Sequence, residues 1–135
     1  MVTITGEYQG ELHCTATHGP SGNSLATDAP RDNQGRGEAF SPTDLVATAF
    51  ATCIATTMAI VARSHGVDLA GLRYEVTKEM SADAPRRIVR LAVRLSMPPA
   101  ARQAPVGVLE NAAHSCPVAL SLASGAEQAI TFDWR

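Results

Sequence analysis

The sequence predicts a mixed α and β domain built on one long buried helix. Three observations carry this. Residues 2–27 alternate apolar and polar side chains in short runs broken by turn residues. Residues 45–62 carry no charge and are apolar or small nearly all round. Two further alternating runs follow, residues 72–80 and 89–97, each with one wet face as in an antiparallel sheet.

The 135 residues fit a single domain, residues 1–135. Hydrophobic residues make up 45% but aromatic ones only 4%, so Ala, Val, Leu and Ile must build the core. A net charge of -2 gives no electrostatic footprint for nucleic acid or for an anionic membrane, and neither is expected as a partner. The start "MVTITGEYQG" lacks the basic and apolar segments of a secretory leader. With three cysteines, an odd number, this points to a reducing compartment and a cytoplasmic location. No CxxC pair or zinc spacing occurs, so neither a metal nor a cofactor is expected.

In chain order, "VTITGEY" reads as a strand with Val2, Ile4 and Tyr8 in phase, ended by Gly10. "ELHCTATH" follows with Leu12, Cys14 and Ala16 in phase, and residues 19–23 are a turn. "SLAT" is a third short strand, completing an antiparallel meander. Residues 28–40 are polar and irregular, a long loop of the kind that often carries function, and contain Arg31 and Arg36.

"SPTD" starts the long helix, with Ser41 as N-cap, Pro42 at the first helical position and Asp44 completing a capping box. The helix runs to about His65, where Gly66 stops it. A helix apolar on all sides must be covered on most of them. A chain this short hardly does so alone, which predicts a homodimer with this helix near the interface.

After the two alternating strands, Val106, Val108, Leu109 and Ala112 mark a second helix with Pro105 in its first turn. A short helix runs from Pro117 to about Ala123, and Ile130, Phe132 and Trp134 mark a final strand.

The cysteines differ in setting. Cys14 lies on the apolar parity of its strand and reads as a small hydrophobe. Cys53 shares a helix face with Val46, Ala49, Thr57 and Ile60, so both packing and chemistry remain open for it. Cys116 precedes Pro117, which favours the first helical position and makes Cys116 the N-cap. There, free backbone donors and the helix dipole favour a thiolate. A thiolate oxidised to sulfenic acid can be converted by a second thiol to a disulfide. His114 nearby reads as a surface histidine or as a proton donor.

"SPTDLVATAFATC", followed by a helix, two strands and "AHSCPVAL", resembles the osmotically inducible protein C and organic hydroperoxide resistance (OsmC/Ohr) family. Pro42, Leu45 and Cys53 match its first motif, and Cys116 with Pro117 matches its second. The resemblance implies an α+β fold: an OsmC-like intertwined homodimer with antiparallel sheets around long central helices. It implies a thiol-dependent peroxidase in which Cys53 attacks an organic hydroperoxide, Cys116 closes the disulfide, and a dithiol reductant, lipoyl-type or small, restores the pair. Family members place a glutamate after the motif proline, where this chain has Thr43, and hold the thiolate with an arginine. Arg36 is the expected arginine, with Arg31 second. Phe50, Arg31 and Asp44 are the expected substrate contacts. The competing reading is a small-molecule or acyl-chain binding dimer whose cysteines only sense redox state.

Overall fold

In the computed structural model, which describes residues 1–122 and 125–135, the chain forms two units, Met1–Leu45 and Val46–Arg135. The first holds strands β1 (Ile4–Tyr8), β2 (His13–His18) and β3 (Ser24–Asp28), paired antiparallel in that order. This is the expected meander. Register puts Tyr8, Cys14 and Thr27 side by side, with Gly6, Ala16 and Leu25 the next row on the same face. On the opposite face His13 stands beside Asp28.

The loop after β3 is not formless. Arg31–Asn33 make a 3-10 turn, and the Gly35 N–H donates to Pro30 O at 2.9 Å. Gly35 is required there, because a Cβ would lie 1.7 Å from Ala29 O. The Phe40 carbonyl then accepts from the Asp28 N–H at 3.1 Å, bringing the loop's end back to β3.

Helix α1 (Pro42–Ser64) begins as expected. Ser41 N–H donates to Asp44 Oδ2 at 2.9 Å, and Asp44 N–H donates to Ser41 Oγ at 3.0 Å, a reciprocal capping box. By length and composition α1 could cross a membrane. It is nonetheless a core helix of the second unit, burying Ala47, Phe50, Ala51, Ile54, Met58 and Ala62. Its other side stays open: Ala49 and Thr56 are exposed, and Ile60 is 64% exposed.

The second sheet has strands β4 (Arg73–Met80), β5 (Ile88–Met97) and β6 (Glu127–Trp134) in that order. Leu91, Val93, Leu95 and Met97 of β5 are buried in one cluster with the α1 residues. The alternate residues face water, where Arg90 stands directly opposite both Glu79 and Glu127. The antiparallel expectation holds for β4 with β5 but not for β6, which runs parallel to β5. The reason lies in the connection: a parallel return needs a long crossover, and this one carries two helices.

Those helices are α2 (Val108–His114) and α3 (Pro117–Ser121). Pro105 falls outside α2, contrary to expectation. Residues Pro99–Gln103 form a separate 3-10 turn, and Gly107, in the left-handed region at φ 80°, is the N-cap of α2. The expected end of α3 at Ala123 lies outside the described residues.

Candidate active site

Cys53 sits in the middle of α1 and is half-buried. Its Sγ lies 4.0 Å from Thr57 Oγ1, one helical turn on. Cys116 is the N-cap of α3, with the extended backbone a cap requires (φ -67°, ψ 146°), and its Sγ accepts from the Ala119 N–H at 3.3 Å. Pro117 supplies the first helical position, so the sequence "SCPVAL" dictates the cap locally.

The crossover between β5 and β6 brings the two sulfurs together, although 63 positions separate them in sequence. The two side chains are neighbours, near enough for the Cys53 thiol to raise that of Cys116. They differ in access: Cys53 is half-buried, whereas Cys116 is fully buried within the core cluster.

The helix mouth does not make Cys116 a ready thiolate. Burial pushes its thiol up from the ordinary value. The Ala119 N–H opposes this, and the Cys53 thiol beside it adds to the rise. Desolvation of the charged form outweighs the backbone donors at the cap, Ala119 and, more weakly, Val118. The expectation from position alone is therefore corrected: Cys116 is a cap, but a neutral one.

The other expected site residues fall in several places. Phe50 is fully buried in the hydrophobic core. Asp44 is the capping-box acid of α1. Arg31 and Arg36 belong to the first unit, where Arg31 Nε donates to the Arg36 carbonyl at 3.2 Å. His114 is exposed and packs edge-on to Phe132, with ring centroids 6.4 Å apart, as a surface histidine does. Cys14 is half-buried on the first sheet beside Tyr8. Among the described residues, no group of three His, Cys, Asp or Glu could hold a metal ion.

Two polar features escaped the sequence. His13 Nδ1 and Asp28 Oδ1 are 2.6 Å apart, and Asp28 Oδ2 accepts from the Glu38 N–H at 2.9 Å. The bond to His13 is the main reason the Asp28 carboxyl lies below its usual range. Gln128 on β6 donates from Nε2 to the Ala119 carbonyl at 2.9 Å. Both pairs depend on how distant segments come together, which local patterns do not encode.

Fold and site together define a class: an α+β protein that opposes a thiol on a long helix to a thiol at the mouth of a one-turn helix. The OsmC-like protein family profile matches residues 35–131. A structure from Psychrobacter arcticus 273-4, named for osmotic stress induction and a detoxification response, is 41% identical with a TM-score of 0.86. The alignment covers 98% of this chain and 96% of that one. The chain therefore belongs to the OsmC-like protein family.

The fold is shared with an organic hydroperoxide resistance protein OsmC from Legionella pneumophila (14% identity, TM-score 0.76, 98% and 96% of the two chains). It is shared also with an organic hydroperoxide resistance protein from Elizabethkingia anophelis (12% identity, TM-score 0.78, 100% and 96% of the two chains). Among proteins with curated descriptions, none matches this chain.

Proposed function

We propose that the protein is a thiol-dependent peroxidase that reduces organic hydroperoxides through a Cys53/Cys116 disulfide cycle. The nearness of those two thiols, one more open than the other, is the observation that carries the reading. Names of structural relatives as organic hydroperoxide resistance proteins support the substrate class.

Cys53 is the first nucleophile, being the sulfur with access. Its thiolate attacks the outer oxygen of ROOH. The O–O bond breaks, RO⁻ takes a proton and leaves as alcohol, and Cys53 becomes sulfenic acid. The Cys116 thiol gives up its proton and attacks the Cys53 sulfur. The S–O bond breaks, water leaves, and the disulfide forms. A dithiol, lipoyl-type or small, returns two electrons and two protons and is itself oxidised to a disulfide.

The neutral setting of Cys116 suits this order, because a resolving thiol waits and does not compete for the peroxide. Arg36 is the cation assigned to lower the Cys53 thiol and to meet the developing alkoxide, with Arg31 second. In this reading the working unit is a cytoplasmic homodimer. The open, small-residue side of α1 around Ala49, Thr56 and Ile60 and the uncovered face of the first sheet support two-chain assembly.

Cys53→Ser should abolish consumption of cumene hydroperoxide in the presence of a dithiol, and retained turnover rejects the assignment. One equivalent of hydroperoxide should remove two hydrogens from the protein mass and link Cys53 to Cys116. An unchanged mass favours the binding-dimer reading.

A further inference from the structure

We infer that Gln128 is a positioning residue for Cys116, acting through the backbone of Ala119. This deepens the proposed dithiol function and rests on it.

Helix α3 has five residues, far too few to persist on its own hydrogen bonds. Its backbone ties include Leu120 N–H to Cys116 O at 3.1 Å and Leu122 N–H to Val118 O at 3.0 Å. Within it, Ala119 is held at both backbone ends. Its N–H donates to Cys116 Sγ at 3.3 Å, and its carbonyl accepts from Gln128 Nε2 at 2.9 Å.

Gln128 is not on a loop. It lies in β6, fixed in register beside Leu91 of β5, and Leu91 is fully buried. The donor is therefore placed by the pairing of β6 with the central strand β5. A straight line of influence follows: sheet register places Gln128, Gln128 places Ala119, and Ala119 aims its N–H at the sulfur.

That N–H counters the burial that holds the Cys116 thiol neutral. Removing the Gln128 amide frees Ala119 to rotate away. The sulfur then keeps only the weaker help of the Val118 N–H, and its ionisation becomes harder.

The test uses chains whose single thiol is Cys116, made with Cys14→Ser and Cys53→Ser. Thiolate formation is followed by its ultraviolet absorbance against pH, with the thiol-free chain (Cys116→Ser added) as blank, a readout that needs neither peroxide nor entry of a reagent to the buried sulfur. Gln128→Met keeps the length and removes the donor; Gln128→Glu keeps the shape and puts an acceptor against the Ala119 carbonyl. Each should move the midpoint of thiolate formation upward by about one pH unit.

Ser121→Ala is the control. It removes the Ser121 Oγ bond to Pro117 O (2.8 Å), a change within α3 that does not touch Ala119. Its midpoint should stay at the parent value. An unmoved midpoint in a folded Gln128 variant, or an equal shift in Ser121→Ala, overturns the inference. Should Cys53→Ser retain peroxide turnover, the peroxidase reading falls while the titration result stands by itself.

Discussion

The two three-stranded sheets of this chain are written in the same alternating code and end up in opposite circumstances. In the second, every apolar residue of β5 from Leu91 to Met97 on the core side is buried against side chains of α1. In the first, Ile4, Tyr8 and Leu25 share one face and are 64%, 62% and 46% exposed. The one buried residue of its strands is a carboxylate, Asp28. Alternation tells which face of a strand is greasy. It does not tell whether anything covers that face, which is a matter of tertiary and quaternary packing.

The largest effect expected from testing this contrast is at Leu95. Leu95→Ala empties a fully buried site and should cost about 2–5 kcal/mol in urea unfolding. A loss below about 1 kcal/mol would mean that the second sheet is as loosely covered as the first.

Next in size is the fate of the first sheet's open face. Under the dimer reading, Ile4→Arg should leave the folded chain intact but shift it toward a single-chain mass in sedimentation. An unaltered two-chain mass would mean that this face lies outside the interface, and a single-chain mass for the unsubstituted protein would remove the dimer itself.

The smallest effect is at Asp28, and it is one of shape. The folded carboxyl is held below its ordinary value, chiefly by its bond to His13. The folded chain thus binds the proton less readily than the unfolded chain does. The resulting stability is present above the ordinary carboxylate pKa of 3.8 and is lost as pH falls through the folded value. Asp28→Asn should flatten that acid limb in thermal melts taken between pH 2 and 6. An unchanged slope would show that the pair contributes nothing to holding the loop.

Much of this was legible in the residues. "SPTD" announced the α1 cap because a capping box is a local arrangement, and "CP" announced the α3 cap for the same reason. The phases of β4 and β5 were plain because each has a wet side. What stayed hidden was long-range. Nothing in residues 127–134 says that β6 returns parallel, since strand direction depends on the crossover. The ionisation of Cys116 was misjudged because its position in the helix is local, whereas its burial is supplied by distant residues. His13 with Asp28, and Gln128 with Ala119, meet only once registers are set.

The 63 positions between the two sulfurs have a consequence for endurance. Joining them ties a wide ring into the chain, and a ring of that size deprives the unfolded form of conformations equivalent to about 4 kcal/mol. A protein cycling in this way has a fortified half and a relaxed half to every turn. Under the disulfide-cycle reading, exhaustion of the thiol supply would leave molecules parked in the sturdier form, intact and ready to restart when reductant returns.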